Sequence, residues 1–377
     1  MRRLLLSGLV VLSAVTGSLA QGTGAPGKIG IALGLTGSYA AFGAQVRTGA
    51  AQAIEDINKA GGIKGRPLEP VIGDDASDPK QGVSVANKLA SAGVTMVVGS
   101  FSSGVSIPAS DVYLDAGIIQ VTPASTSVKF TERGHWNTFR TCGRDDQQGK
   151  VAGAYLGEHF KDKKIALVHD KSPYGKGLAE ETQTALKANG VKPVLYEGIN
   201  PGEKDYSALV SRLKSAGVDV VYYGGYHIEA GLIVRQMRGQ GFNALLAGGD
   251  GLAPKEFVQI AGPGADGTLM TFAPDPRRNP GAQATVAAFN ARGIDPDAYT
   301  LYGYAAVQVL ARAMAETNSS DGKTLAEWLH QGKTIDTVVG PIAYDTKGDI
   351  TRPDYVVYAW KKGPDGKIDY AGNELTP

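Results

Sequence analysis

Short apolar runs alternate with helix-patterned stretches along almost the whole chain, and this alternation constrains the fold more than any other feature. Residues 28–33, 68–72, 94–98 and 118–122 are apolar runs of strand length. Between them, 44–60 places Ala50, Ala53, Ile54 and Ile57 on one helical face and stops at Gly61-Gly62. Residues 79–91 follow Asp78-Pro79, an N-cap with proline at the first helical position. Residues 106–116 give a third helix. The grammar restarts after Arg144: helices at 146–160, 175–189, 206–216 and 229–240 alternate with strands at 165–169, 194–196, 218–223 and 245–247. Strands separated by helices pair in parallel and are covered on both faces. Two such blocks predict an α/β fold of two doubly wound parallel-sheet lobes. The C-terminal part departs from the pattern: a strand at 268–272, helices at 280–292, 301–317 and 325–331, and strands at 338–344 and 355–360 around a Lys347-Gly348-Asp349 turn.

At 377 residues the chain has the length of two domains of roughly 150 residues each, both large enough for a real core. Met1-Arg2-Arg3 followed by a mostly apolar stretch, with Ser18-Leu19-Ala20 at its end, reads as a secretory signal peptide over 1–20, cut after Ala20. The alternative, a membrane anchor, is disfavoured by a run too short and too broken by Ser7, Gly8, Ser13, Thr16 and Gly17. No cysteine follows the cut to carry a lipid. The expectation is an exported, periplasmic protein. Acids and bases nearly cancel, 37 against 38, or 37 against 36 without Arg2 and Arg3. That balance gives no reason to expect nucleic acid or an anionic membrane surface as partner. A single cysteine, Cys142, excludes an intrachain disulfide and a thiolate metal centre, and it reads as a small core residue.

In an open parallel sheet, ligands bind beyond the carboxyl ends of the strands, where strand order reverses. In the first block these ends carry Thr36, Gly37, Ser38, Tyr39 and Phe42, then Gly99 to Gly104, then Thr122 to Thr126. They supply hydroxyls and backbone N–H groups at helix starts, which bind an anion without a cation. The second block offers His169 to Tyr174, Gly224 to Tyr226, and Gly248-Gly249-Asp250: aromatics and one carboxylate. Together they suit a small zwitterion with an apolar tail. The plainer reading makes Ser102, Ser103 and Thr126 ordinary caps and turn residues.

Other chemistry is weakly represented. Gly99-x-x-Ser102-x-Gly104 is one residue out of register for a nucleophile elbow, and neither a dinucleotide fingerprint nor a Walker loop is present. The histidines at 135, 159, 169, 227 and 330 lack metal-ligand spacing, so neither a metal nor a cofactor is expected. Asp74, Asp75 and Asp78 read as a solvated turn and an N-cap rather than an acid pair. Asn318-Ser319-Ser320 matches a glycosylation sequon, a pattern frequent by chance. His169 and His227 lie at strand ends, which leaves a Ser–His hydrolase as a rival, but no third orienting group is evident. No catalytic residue is expected.

Several segments, in order, are those of a known family: Asp56 to Gly65, Asp74 to Gln81, Pro108 to Asp111, Thr122 to Thr126, His169 to Leu178, Gly202 to Tyr206, Val221 to His227, and Asp336 to Pro341. Over nearly the whole mature chain the sequence resembles the periplasmic leucine/isoleucine/valine-binding proteins, which serve branched-chain amino-acid ABC transporters. The resemblance implies two lobes of the type I periplasmic binding fold, joined by a three-strand hinge, with a ligand cleft between them. The implied boundaries are 27–144 plus 274–353 for one lobe and 145–273 plus 354–377 for the other. The implied partners are an amino acid and a membrane ABC permease, with the chain a monomer.

Residue roles carry over by position. Ser103 matches the residue that binds the ligand carboxylate, with Ser102 beside it. Thr126 matches the one that serves both carboxylate and ammonium, and Ala124 the carbonyl that accepts from the ammonium. Asp250 stands where relatives have the acidic partner of the ammonium, usually Glu. Phe42, Phe101, Tyr174, Tyr226 and Tyr299 match the walls of the side-chain pocket. Ser77 and Ser102 replace a disulfide pair found in some relatives, which implies a looser loop at Ser103. Relatives also bind amides, urea or aromatic acids, and a sensor module is a rival within the same fold; the retained Thr122 to Thr126 and Ser102-Ser103 put an α-amino acid first.

Overall fold

The computed structural model describes residues 26–375, so the expected leader over 1–20 lies outside the described residues. In chain order the elements are β1 (Gly27–Leu33), α1 (Ala40–Lys59), β2 (Leu68–Asp74), α2 (Pro79–Ser91), β3 (Met96–Gly99), α3 (Ser103–Asp115), β4 (Ile119–Thr122) and β5 (Thr138–Arg140). Then come α4 (Asp145–His159), β6 (Ile165–His169), α5 (Pro173–Ala188), β7 (Leu195–Gly198), α6 (Ser207–Ser215), β8 (Val220–Gly224), α7 (His227–Gly239), β9 (Leu245–Gly248), α8 (Glu256–Ala261) and β10 (Leu269–Phe272). The chain ends with α9 (Gln283–Ala291), α10 (Ala298–Thr317), α11 (Gly322–Leu329), β11 (Ile335–Thr337), β12 (Gly340–Ile342), β13 (Val356–Ala359), β14 (Lys361–Lys362), β15 (Ile368–Asp369) and β16 (Glu374–Leu375).

Two main sheets result. One runs β2-β1-β3-β4-β5, with every pairing parallel. The other runs β16-β13-β10-β9-β8-β6-β7, parallel from β10 to β7 with β13 and β16 added antiparallel. In both sheets the first strand of its block lies between the second and the third, so strand order reverses there and a crevice opens at the carboxyl ends. The strands are buried on both faces: every residue of β3, β4, β6 and β8 is buried.

The alternation of strand and helix thus holds, and both lobes are doubly wound. Two expectations need correction. The run 338–344 is not one strand. Gly340, with φ near +106°, turns the chain, and β11 and β12 pair as a separate hairpin. The strand expected to return beside it, β13, instead joins the second sheet against β10. Second, the turn at Asp74 and Asp75 is solvated only in part: Asp74 stays partly exposed, bonded to Thr36. Asp75 is buried and accepts the Ser77 N–H at 2.8 Å and the Ser100 hydroxyl at 2.7 Å. Asp78 does cap α2, accepting from the Gln81 N–H at 2.9 Å.

The chain passes between the lobes three times: from β5 into α4, from β10 towards α9 and α10, and from the β12 region into β13. Helix α10 returns to the first lobe and packs along α1. That packing is unusually close. A Cβ at Gly49 would lie 1.7 Å from the Thr300 carbonyl oxygen, and one at Gly303 would lie 2.4 Å from that of Val46. Backbone meets backbone, and this proximity brings Phe42 of α1 and Tyr299 of α10 to a ring separation of 5.5 Å. Gly49→Ala has no side chain to move aside, so it should destabilise the protein by about 1–3 kcal/mol, as overpacked cores do. Urea unfolding checks this; an unchanged midpoint would mean that the helices separate freely.

Candidate functional site

The site is built on loops that leave the carboxyl ends of the strands. Gly99 ends β3 with φ near +132°, and a Cβ there would lie 1.9 Å from the Ala32 carbonyl oxygen. Only glycine fits, and the chain turns from it into Phe101, Ser102 and Ser103. Hydroxyls lace this loop to the one after β4: Thr122 donates to the Ser100 carbonyl at 2.6 Å and Ser125 to that of Phe101 at 3.0 Å. Beneath them the fully buried Arg140 donates to the carbonyls of Ser125 (2.7 Å) and Ser127 (3.2 Å) and pairs with Asp349 (2.7 Å).

Helix α3 begins three residues earlier than its sequence pattern predicts. Ser103 is therefore its first residue, and the Ser103 N–H belongs to the turn that has no intrahelical acceptor. The Ser103 hydroxyl accepts from the Ser127 N–H at 3.2 Å. Ser102 occupies the cap position without making a cap bond. Its hydroxyl is instead 3.1 Å from the Tyr226 hydroxyl of the other lobe. The plain cap reading of Ser102 therefore fails.

Opposite this wall, Asp250 follows β9 and is 5% exposed. Its Oδ1 accepts from Gln148 Nε2 at 3.0 Å and from the Tyr174 hydroxyl at 2.8 Å, and its Oδ2 accepts from the Tyr299 hydroxyl at 2.7 Å. Its N–H donates to Gln148 Oε1 at 2.8 Å. Among the described residues no cation pairs with it. Burial pushes its carboxyl up, and the donors from Tyr299, Gln148 and Tyr174 pull it back.

Phe101, Ser103, Ala124, Tyr174, Tyr226, Asp250 and Gly251 together line a narrow gap of about 10 Å³, so the two walls are nearly in contact. Aromatic rings back it. Phe42 stacks on Phe101 at 4.0 Å, Tyr299 meets Phe101 edge-on at 5.0 Å, and Tyr174 lies 5.0 Å from Tyr226. Thr126, two residues past Ala124, is buried and accepts the Asp145 N–H at 2.9 Å. Of the ten residues singled out in the sequence, Phe101, Ser103, Ala124, Tyr174, Tyr226 and Asp250 line the gap, Ser102, Phe42 and Tyr299 touch those residues, and Thr126 lies behind them against Asp145.

Three neighbours were not anticipated in a site role. Tyr39 reaches across the gap to within 4.1 Å of the Tyr226 ring; it was visible as a strand-end residue. Gln148 ties Asp250 to Thr271 (2.9 Å) from 102 and 123 residues away, and no local pattern signals such a link. Asp145 opens α4, and its sequence context marks only a helix start.

Among the described residues, neither strand-end histidine is hydrogen-bonded to a serine hydroxyl. His169 Nδ1 accepts the Lys171 N–H at 3.0 Å. His227 is buried beneath Phe42, and burial pushes it down to about 4, so it is uncharged at neutral pH. Asp170 accepts the Ser172 N–H at 2.8 Å, and burial pushes its carboxyl from 3.8 up to about 6. The folded protein then holds this proton between pH 4 and 6, where the unfolded chain has lost it. Stability contributed here falls as pH rises through that window. At about 1.4 kcal/mol per pH unit, Asp170→Asn should gain up to roughly 3 kcal/mol over the parent at pH 7 and nothing at pH 4. Melting curves from pH 4 to 7 check this; parallel curves for the two proteins would contradict it.

The chain matches the model of the periplasmic binding protein family over residues 26–366. It is 53% identical over 370 residues to Leu/Ile/Val-binding protein homolog 1 of Brucella melitensis, covering 98% of this chain and 99% of that one. An amino acid binding protein of Pseudomonas aeruginosa is 50% identical over 335 residues, 88% of this chain and 89% of that one. Among solved structures, a leucine-binding protein from Thermotoga maritima superposes with a TM-score of 0.84 at 27% identity, covering 93% of this chain and 99% of that one. A branched-chain amino-acid transporter substrate-binding protein from Streptococcus pneumoniae, in complex with isoleucine, gives 0.83 at 28% identity, covering 93% and 100%. With its two sheets, its crossings and its interlobe gap, the chain belongs to the periplasmic binding protein family, alongside the Leu/Ile/Val-binding protein homologs.

Proposed function

We propose that this protein captures branched-chain L-amino acids between its lobes and delivers them to a membrane ABC permease. One observation carries the reading. Ser103, at the first turn of α3, and Ala124 line a small aromatic-walled gap opposite Asp250, a buried carboxylate that among the described residues takes hydrogen bonds but no cation. The names of the Brucella and Streptococcus relatives point to the same ligand class.

In this reading the ligand carboxylate takes the Ser103 hydroxyl and N–H together with the Thr126 N–H. The ammonium takes the Ala124 carbonyl, the Thr126 hydroxyl and Asp250. The tail lies against Phe101, Tyr174 and Tyr226, with Phe42 and Tyr299 behind. Closure excludes water, so an unmatched charge costs several kcal/mol, whereas each CH₂ of the tail contributes only about 0.8 kcal/mol. Charge at both ends therefore sets the ligand class, and the tail grades within it. The closed state is stabilised because only there does the ligand touch both walls, and the permease reads that shape. Residues 27–144 with 274–353, and 145–273 with 354–377, move as the two bodies about the three crossings. The protein works as an exported periplasmic monomer after removal of residues 1–20, and as a carrier rather than a catalyst.

Leucine, isoleucine or valine at about 100 times its dissociation constant should raise stability by roughly 2.7 kcal/mol. In a thermal-shift panel of the twenty amino acids, Gly should shift weakly. Lys and Glu should not shift. No shift with any branched-chain member would overturn the ligand class. Asp250→Asn keeps the shape and removes the charge. It should weaken leucine binding by about 2–5 kcal/mol without lowering the unliganded melting temperature; calorimetric titration reads the first and a melt the second.

A further inference from the structure

We propose that Asp145 is a second carboxylate of the ammonium end, so that the ligand's amine is held by two acids, Asp145 at the head of α4 and Asp250 beyond β9. The inference rests on the amino-acid reading above and adds a residue to it.

Asp145 stands at the first crossing between the lobes and is 1% exposed. Among the described residues its carboxyl oxygens make no well-formed hydrogen bond, and the adjoining Thr126 hydroxyl is the one side-chain donor set against them. Its backbone N–H is bonded to the Thr126 carbonyl, which fixes it behind that wall. One helical turn on, Gln148 holds Asp250, so the first turn of α4 touches both sides of the gap. The nearby cations are committed elsewhere. Arg140 pairs with Asp349, and Arg144 pairs with Asp349 at 2.6 Å and with Asp146 at 3.0 Å.

A dry carboxyl without donors is unfavourable by several kcal/mol, and buried polar groups in native proteins are nearly always completed by something. A group that brings positive charge and several N–H donors would complete this carboxyl in its ionised form. An ammonium has three. Asp250 already accepts three bonds, which leaves little capacity for the whole ammonium. Burial and the Asp250 charge hold the Asp145 carboxyl well above the usual carboxylate range while the gap is empty. An ammonium beside it restores the ionised form. The amine should therefore matter more to affinity than the ligand carboxylate, which meets only neutral donors.

The test is calorimetric titration of the parent protein and Asp145→Asn with three probes. These are L-leucine, 3-methylbutylamine (leucine without its carboxylate) and 4-methylpentanoate (leucine without its amine). The parent should bind the amine at least tenfold more tightly than the acid. Asp145→Asn should lose leucine affinity at least tenfold, keep its affinity for 4-methylpentanoate, and melt no lower without ligand. Retention of leucine affinity within threefold would overturn the proposal, and so would equal losses for leucine and 4-methylpentanoate. Should the variant not fold, the parent decides alone: an amine that binds no better than the acid overturns it. Failure of the parent to bind leucine at all would instead count against the ligand class.

Discussion

A carboxylate shut away from water with three donors and no cation organises the centre of this molecule. Asp250 is tolerable there because Tyr174, Tyr299 and Gln148 supply hydrogen bonds, yet none of them supplies charge. Those donors come from α5, α10 and α4, so the acid is placed by three elements far apart in sequence. Much of the architecture can be read as support for that placement. The glycines at 49 and 303 let α10 press onto α1, which sets Tyr299 over the acid. Gln148 grips both its side chain and its backbone from the helix that starts at the first crossing.

Much of this was legible in the sequence because it depends on short-range patterning. Alternating apolar runs and helical faces require parallel sheets, and parallel sheets place their loops at the carboxyl ends. Reading only those loops brought out Ser103, Thr126, Tyr226 and Asp250. Capping chemistry was equally local, as Asp78 before Pro79 illustrates. What escaped has a common physical cause. Gln148, Asp145 and the buried state of Asp75 are defined by partners that the fold delivers, and nothing within a few residues of them signals those partners. The break of 338–344 into a hairpin turned on Gly340, whose positive φ outweighed the apolar run around it.

The two lobes repeat one strand order without repeating a motif, and they contribute opposite chemistry. The first ends its strands in hydroxyls and N–H groups, laced together over Arg140. The second ends them in tyrosines and acids. On the function proposed above, a ligand with a negative and a positive end would have one orientation available between the lobes. The bond between Ser102 and Tyr226 and the tilted contact of the Tyr39 and Tyr226 rings link residues of one wall directly to the other.

The lone thiol has a practical corollary. Cys142 lies in the first crossing, is buried, and is pushed by that burial far from the thiolate form that alkylating reagents attack. A cysteine introduced on either rim would then be the single nucleophilic sulfur on the surface. One such residue per lobe would accept a pair of dyes, and the separation between them would report opening and shutting of the molecule in real time, with the native sulfur left in place.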